Sequence, residues 1–293
     1  KIELLGKDKE QEKKEEKKFF SVEKRDLSER TFAQLLCLGY RIQTIIAIDF
    51  SSSNRPILIK NGRHSGDRNT NLYLGAMNTI FDTMAIYDQN YSVSLYGLCA
   101  KIKGVFHEYF PITKRSKDSL DEESIESDNK YSSKESIEDA YNYYRQMLQF
   151  WGPTKLSNFL LHAREKAKDA FNKSKGKNVY TVVCIITDGL IVDLRDIAST
   201  VLKMSNDPIF IVFVGIGEEK SDRGFLSLKQ IDDNLNKIKN QDDGQNSQND
   251  IVKFAHFKTE NLVEKSSFSK LLFSDIPDEM ARFMNQKNNK EDQ

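Results

Sequence analysis

Five short, almost purely apolar runs recur along this chain, and longer amphipathic stretches separate them. A run without alternation of polar and apolar residues is typical of a strand buried on both faces of a sheet. Strands that alternate with helices indicate crossover connections on a mostly parallel sheet. The pattern therefore predicts an α/β fold: a three-layer, doubly wound, mostly parallel sheet with helices on both faces. The predicted strands are residues 42–48, 91–96, 179–186, 209–214 and 251–257.

The amphipathic stretches predict the helices of the two outer layers. A further short run, "VFHEYF" at residues 105–110, predicts an antiparallel strand at the edge of the sheet. The predicted helices cover residues 72–87, 136–150, 156–172, 193–204 and 261–284, the last of them broken at Pro277.

Composition divides the chain into one folded domain, residues 32–285, and two flanking segments. Residues 1–31 contain alternating blocks of Lys and Glu, which predict a flexible charged linker, and residues 286–293 predict a polar tail. Within the domain, residues 113–135 are rich in Ser and acidic residues, and residues 232–250 are rich in Asn, Gln and Asp. Both segments predict solvated loop insertions, because they contain almost nothing to bury.

The charge and the cysteines restrict the partners and the compartment. Lys and Arg total 44, as do Asp and Glu, so no overall field attracts nucleic acid or an anionic membrane. Cys37, Cys99 and Cys184 are far apart in sequence and form no C-x-x-C pair, as is typical of buried thiols in a reducing compartment. We therefore expect a cytoplasmic protein with no nucleic-acid partner.

Polar side chains cluster at the ends of two predicted strands and in one tight turn. Asp49 ends the first strand, and Ser51 and Ser53 follow it directly. Thr154 lies in a Gly-Pro-Thr turn between two predicted helices, and Asp188 follows a later strand. In open α/β sheets, ligands bind beyond the carboxyl ends of the strands. We therefore expect these three loops to bring the five side chains together.

This set of oxygen donors predicts a metal site. Oxygen ligands without His or Cys suit a hard divalent cation, and we predict Mg²⁺ or Mn²⁺. Neutral hydroxyls beside the cation leave it electrophilic, so it takes a further anionic oxygen from an Asp or Glu of a protein partner. The simpler alternative is that Asp49 and Asp188 only cap turns, as Asp often does.

The three loops resemble a known arrangement. D-x-S-x-S, G-P-T and T-D-G, in that order, are similar to the metal-ion-dependent adhesion site of von Willebrand A domains. Longer strings, among them "AIDFSSSN", "YNYYRQMLQFWGPTKLSNFL" and "IITDGLIVDL", resemble the C-terminal A domain of copines. The resemblance covers about residues 32–284. It implies that Ser51, Ser53 and Thr154 contact the metal directly, and Asp49 and Asp188 directly or through water.

The sequence also departs from the copine pattern at several positions. Ser51 replaces a threonine and keeps the hydroxyl, whereas Arg55 replaces a glycine at the rim of the site. Val192 stands where copines often have a threonine. "YGLCA" replaces a glycine-richer "GFGA", so Cys99 is interpreted as a packing variant.

The resemblance implies a binding module that is not an enzyme. In a copine, two calcium-dependent lipid-binding domains precede the A domain, and only those domains bind Ca²⁺. The parent protein would move to anionic lipid at the plasma membrane when calcium rises, and the A domain would recruit a protein partner there.

Two other functions stay open as alternatives. Some plant ubiquitin ligases join a copine-like A domain to a RING finger, which would have to lie outside this chain. A phosphohydrolase with Asp49 as its nucleophile usually has a second Asp two residues later, but Ser51 occupies that position.

Three further features have ordinary structural interpretations. We expect Trp151 to pack in the core behind the metal loops and His162 to be a half-buried packing residue. Gly215 and Gly217 follow a strand but lack the third glycine of a dinucleotide motif, so we interpret them as a turn that ends the strand.

Overall fold

The computed structural model describes residues 29–54, 69–88, 91–113, 129–174, 178–217, 223–238 and 250–291. Its centre is an eight-stranded sheet. The strands are β1 (Arg41–Asp49), β2 (Val93–Ile102), β3 (Val105–Pro111), β4 (Lys130–Tyr131), β5 (Gln149–Phe150), β6 (Val179–Thr187), β7 (Ile209–Ile216) and β8 (Val252–Phe257).

The sheet is mostly parallel, and its strand order is β3-β2-β1-β6-β7-β8. Strands β1, β2, β6, β7 and β8 run parallel to their neighbours, whereas β3, β4 and β5 each pair antiparallel with β2. The chain passes from β1 to β2 on one side and later returns to β6 on the other. The carboxyl ends of β1 and β6 therefore form a topological switch point, where open α/β sheets bind ligands.

Eight α-helices of the described ranges cover the two faces of the sheet. They are α1 (Phe32–Cys37), α2 (Leu72–Ala85), α3 (Lys134–Met147), α4 (Ser157–Lys173), α5 (Leu194–Met204), α6 (Arg223–Ile238), α7 (Ser266–Phe273) and α8 (Ile276–Glu291). None of these helices is long and apolar enough to cross a membrane.

Two hydrophobic cores, one on each face of the sheet, show the three layers directly. In β1, Ile46 and Ile48 pack into a core with α2, α3, α7 and α8, whereas Ile45 and Ala47 pack into a core with α4, α5 and α6. Successive strand residues point to opposite faces, so a strand covered on both sides must be apolar throughout. The predicted α/β class, the mostly parallel sheet and the helices on both faces are confirmed.

The helix predicted over residues 136–150 begins and ends earlier than expected. Helix α3 ends at Met147, and Leu148 has an extended backbone. Gln149 and Phe150 then form β5 and pair with Lys101 and Ala100 of β2. Sheet pairing therefore overrides the apolar periodicity that had suggested a longer helix.

The predicted break at Pro277 is also misplaced. The predicted single stretch consists of a 3-10 turn at Thr259–Leu262 and two helices, and the break falls between Phe273 and Ile276. Pro277 lies in the first turn of α8, where a missing backbone N–H breaks no helical hydrogen bond. Helix α8 continues through Glu291, past the predicted domain end at residue 285.

Parts of both predicted loop insertions are regular structure. Strand β4 and the start of α3 fall within 113–135, and α6, which was not predicted, includes residues 232–238. Phe225, Leu228 and Ile231 of α6 are buried at helical spacing, and this apolar stripe fixes the helix on the sheet. Residues 114–128 and 239–249 of these insertions, and residues 1–28 of the predicted linker, lie outside the described residues.

Candidate metal centre

Three loops meet at the carboxyl edge of the sheet, at the switch point between β1 and β6. Asp49 is the last residue of β1, and Thr187 is the last residue of β6, directly before Asp188. Thr154 forms an isolated parallel bridge with Ile191 and so lies beside the loop that follows β6. The structure thus brings together the loops that the sequence predicted to converge.

Asp49 is the hydrogen-bonded centre of the site, although its side chain is 0% exposed. Its Oδ1 accepts a hydrogen bond from the Ser51 backbone N–H over 2.8 Å. Its Oδ2 accepts one from Thr187 Oγ1 over 2.7 Å and lies 3.0 Å from Thr154 Oγ1. Every loop of the site therefore touches this one carboxylate.

The hydroxyls of the first two loops form a compact group. Ser51 Oγ lies 2.9 Å from Ser53 Oγ and 2.9 Å from Thr154 Oγ1. The single Thr154 proton can be donated to Ser51 or to Asp49, but not to both at once. Three hydroxyl oxygens and a carboxylate thus lie together, and Ser53 is the partly exposed member of this group.

The second carboxylate makes the site electrostatically unfavourable without a cation. Asp188 is also buried, and its Oδ1 accepts a hydrogen bond from the Leu190 N–H over 3.3 Å. Burial raises the pKa of Asp49 to about 6, and the nearby charge of Asp188 contributes to this rise. A divalent cation offsets both the lost hydration and the repulsion, so the residues present fit a metal ion.

The donors also favour a hard cation over a soft one. Among the described residues, no group of three or more His, Cys, Asp and Glu could hold a metal ion by itself. A metal ion at this site would therefore need the hydroxyl oxygens as ligands in addition to the two carboxylates. Carboxylate and hydroxyl oxygens suit Mg²⁺ or Mn²⁺, whereas Zn²⁺ sites usually contain His or Cys.

Backbone contacts hold the three loops against each other. Ser52 donates both its N–H, over 3.1 Å, and its hydroxyl, over 3.0 Å, to the Gly152 carbonyl. The Val192 N–H donates to the Thr154 carbonyl over 3.1 Å. The second loop is therefore fixed to the first on one side and to the third on the other.

The sequence reasoning missed several residues that support the site. Thr187 was quoted only as part of a motif, yet it donates to Asp49. Asn54 Nδ2 donates to Ser51 Oγ over 3.4 Å, and Tyr73 OH donates to Asn54 Oδ1 over 2.9 Å. The strings T-D-G and S-S-S-N contained Thr187 and Asn54, but only the tertiary contacts show these roles.

Asp193 is a further missed residue, and it connects two helices. It directly precedes α5, but its carboxylate accepts hydrogen bonds from the backbone N–H groups of Leu156 and Ser157 at the start of α4. These distances are 3.0 and 2.9 Å. Asp193 therefore caps the helix that begins just after Thr154.

Cys99 does more than fill space. It has a left-handed backbone with φ of 54°, which favours glycine over other residues. Its buried Sγ accepts a hydrogen bond from the Lys155 N–H over 3.4 Å, and Lys155 follows Thr154. The thiol thus supports the second metal loop from below.

Trp151 is not in the core, which corrects the expectation from sequence. It is 39% exposed, and Lys101 Nζ lies 3.3 Å from its ring centroid.

His162 is half-buried as expected and lies 3.2 Å from Tyr96 OH. Gly215 lies inside strand β7, which extends to Ile216, so it is not part of the predicted turn. Gly217 follows the strand, with φ of 138°. Arg55 lies outside the described residues.

A protein-family model described as Copine matches residues 64–292. The match includes the loops that carry Thr154 and Asp188 and begins after the loop that carries Asp49, Ser51 and Ser53.

Two curated proteins are similar to this chain over most of its length. Protein BONZAI 2 of Arabidopsis thaliana is 24% identical over 265 residues, which cover 89% of this chain and 42% of that protein. Nicotinic receptor-associated protein 1 of Caenorhabditis briggsae is 23% identical over 272 residues, which cover 88% of this chain and 40% of that protein. The chain thus spans about two fifths of the length of these relatives.

Solved structures are more distant. The VWA domain of SpRpn10 has a TM-score of 0.46 at 13% identity, covering 78% of this chain and 96% of that one. The manganese-loaded TRAP protein of Plasmodium vivax has a TM-score of 0.42 at 14% identity, covering 78% of this chain and 74% of that one. At these values, neither structure bears on the details of the site.

Proposed function

This chain belongs to the copine family, and from that membership we propose that it is a metal-dependent protein-binding domain. The observation that carries the proposal is the convergence of Asp49, Ser51, Ser53 and Thr154 in one hydrogen-bonded group at the sheet edge. Mg²⁺ or Mn²⁺ is held there, and the partner supplies an acidic side chain to it.

Each residue of the site has a distinct task in this proposal. Ser51, Ser53 and Thr154 would hold the cation with neutral oxygens, and Asp49 and Asp188 would hold it directly or through water. When bound, the cation supplies a positive charge that attracts an external carboxylate. Asp49 also orders the site, because it accepts hydrogen bonds from the Ser51 backbone N–H and the Thr187 hydroxyl.

Binding without turnover is the function that these residues support best. Ser51 occupies the place of the second acid that phosphohydrolases use, and Asp49 Oδ2 accepts a hydrogen bond from the Thr187 hydroxyl, which is not a general base. The other reactive group close to the site is Cys99, and burial raises the pKa of its thiol to about 12. That thiol stays protonated at neutral pH and is a poor nucleophile.

The cellular role that we propose depends on the longer parent protein. The relatives are more than twice the length of the matched region, which leaves room for calcium-dependent lipid-binding domains outside it. Ca²⁺ would bind only in those domains and bring a cytoplasmic protein to the plasma membrane. The balanced charge of this chain supports a protein partner and no nucleic acid.

The test is thermal unfolding at increasing magnesium concentrations, in which variants at the neighbouring residues Ser52 and Ser53 are compared. A ligand at 10 to 100 times its Kd stabilises the fold by about 1.4 to 2.7 kcal/mol, or roughly 3 to 10 °C in Tm. We expect this rise in the wild type, little or none in Asp49→Ala, and a smaller rise in Ser53→Ala. The matched control is Ser52→Ala, which loses one hydroxyl contact with the Gly152 carbonyl but keeps the backbone contact there and every hydroxyl of the cluster, so it should keep the rise in Tm. An unchanged wild-type Tm at millimolar magnesium and manganese would overturn the proposed function.

A further inference from the structure

Exposed apolar side chains flank the metal centre on two sides. Leu190 is 56% exposed and Val192 is 59% exposed, and both belong to the loop that follows β6. Trp151 and Phe106 are exposed on the side of the second loop. We call these four side chains the apolar rim.

The β6 side of the rim is directly attached to the metal loops. The Leu190 N–H donates to Asp188 Oδ1, and the Val192 N–H donates to the Thr154 carbonyl. The backbones of these two residues therefore hold groups of the site, while their side chains extend into solvent. Their positions are set by the same hydrogen bonds that set the metal donors.

The opposite side of the rim is attached through Gly152. A Cβ at Gly152 would lie 3.1 Å from the Phe106 ring, so that ring rests against this glycine. The Gly152 carbonyl accepts hydrogen bonds from Ser52, which stands between the two serines of the metal site. Trp151 precedes Gly152, and its ring is covered by the Lys101 ammonium.

The depth of the site determines what can reach it. Asp49, Ser51 and Thr154 are all 0% exposed, so a carboxylate that joins the cation must enter from the surface. The rim side chains are exposed on or beside the loops that carry Thr154 and Asp188, so the residues next to that carboxylate in the partner would contact them. Apolar side chains there bind more tightly than polar ones, because burial removes apolar surface from water on both partners.

We propose that the partner segment carries a large apolar residue beside its metal-binding Asp or Glu. This inference rests on the proposed function and adds the chemistry of the partner to it. A protein segment fits the edge better than an anionic membrane does, because two basic groups of the described residues beside the rim are already engaged. Lys101 lies over Trp151, and Lys155 Nζ lies 3.8 Å from a Glu108 carboxylate oxygen.

The first test is a selection from a phage library of random peptides with one fixed central Asp. The library is bound to the whole chain in magnesium and eluted with a chelator. We expect leucine, isoleucine, phenylalanine or tryptophan to be enriched next to the Asp. Recovered peptides with no apolar enrichment, or no chelator-eluted peptides at all, would overturn the inference.

The second test measures the affinity of the most enriched synthetic peptide for variants of the rim. Leu190→Ser combined with Val192→Ser should weaken binding roughly tenfold to a hundredfold, while the magnesium-induced rise in Tm is kept. The matched control is Leu38→Ser, since Leu38 is 59% exposed but precedes β1 at the opposite edge of the sheet. Equal peptide affinity for the wild type and the rim variant would overturn the inference.

Two outcomes separate this inference from the proposed function. If magnesium does not raise the wild-type Tm, the metal site itself is wrong. If magnesium raises the Tm but the peptides show no dependence on the rim, only the apolar partner is wrong. Pelleting of the chain with phosphatidylserine vesicles that is lost in the rim variant would assign the rim to lipid and would also overturn the inference.

Discussion

Position 99 has a left-handed backbone, which favours glycine, and a side chain that accepts a hydrogen bond, which glycine lacks. Its backbone is left-handed, which costs a residue with a side chain roughly 1 to 2 kcal/mol relative to glycine, while its Sγ accepts the Lys155 N–H. Cys99→Ala loses the thiol and keeps the backbone cost, whereas Cys99→Gly loses the thiol and removes that cost. We therefore expect Cys99→Gly to be more stable than Cys99→Ala by about 1 kcal/mol in urea unfolding. The usual order in strands, with Gly less stable than Ala, would contradict this account.

The titration of Asp49 makes magnesium binding depend on pH. The folded pKa of about 6 lies above the ordinary value of 3.8, so the neutral form stabilises the metal-free fold at low pH. This stabilisation is lost as the pH rises from about 3.8 through about 6, when the buried carboxylate ionises. A cation binds only the ionised form, and its apparent affinity falls about tenfold for each pH unit below the pKa.

The corresponding measurement is the rise in Tm on adding magnesium at pH 7.5 and at pH 5. We expect a clear rise at pH 7.5 and a strongly reduced one at pH 5. Asp49→Asn serves as the control, because it cannot titrate, and it should show little magnesium response at either pH. A rise that is as large at pH 5 as at pH 7.5 would show that Asp49 does not gate the metal.

At the scale of elements, the Asp193 carboxylate links the start of α5 to the start of α4. Asp193 caps the first N–H groups of α4, and the removal of such a cap costs about 1 to 2 kcal/mol. Helix α4 begins just after Thr154, so a frayed start also moves a metal donor. We expect Asp193→Ala to lower both the free energy of unfolding and the affinity for magnesium.

Asp169→Ala is the matched control for Asp193→Ala. Asp169 lies on the exposed face of α4 and pairs with Lys173 over 2.9 Å. Such surface pairs contribute little to stability. A loss of magnesium affinity in Asp169→Ala equal to that in Asp193→Ala would indicate a general effect of α4 stability and not of the cap.

The elements that sequence predicts best are those that local pattern determines. Strands such as β1 and β6 are mainly apolar because both faces are covered, and that requirement is visible in the sequence. Strand β5 has two residues and exists because Phe150 pairs with Ala100 of β2, a partner 50 residues away that no local pattern indicates. Helix α6 was hidden by the polar residues that follow its apolar stripe.

The candidate site also contains residues that local sequence pattern identifies and residues that only tertiary contacts identify. Strand ends and a tight turn identify Asp49, Thr154 and Asp188, because parallel strands bring their carboxyl ends to one edge. The roles of Thr187 and Cys99 depend instead on hydrogen bonds across the sheet edge and on a left-handed backbone. Those features arise from the tertiary structure, so the sequence predicts the candidate donors of the site but not the residues that support them.

At the scale of the whole molecule, the remaining question is whether this chain alone reaches a membrane. Residues 7–24 contain seven lysines and six acidic residues, so their net positive charge is small. Polybasic attachment needs about 1 kcal/mol from each of several Lys or Arg residues near the surface, without acidic neighbours that cancel the attraction. The apolar rim offers little to a lipid surface, because Leu190 and Val192 are its only two aliphatic side chains.

We therefore expect this chain not to pellet with phosphatidylserine vesicles, either in calcium or in chelator, because its basic and acidic residues balance. The full-length protein, if it carries calcium-dependent lipid-binding domains outside this chain, should pellet in calcium and not in chelator. Co-sedimentation of both proteins at equal concentration gives the comparison, with neutral phosphatidylcholine vesicles as the control for trapping. Strong calcium-dependent pelleting of this chain alone would place the lipid site within these 293 residues and would contradict the proposed division of tasks.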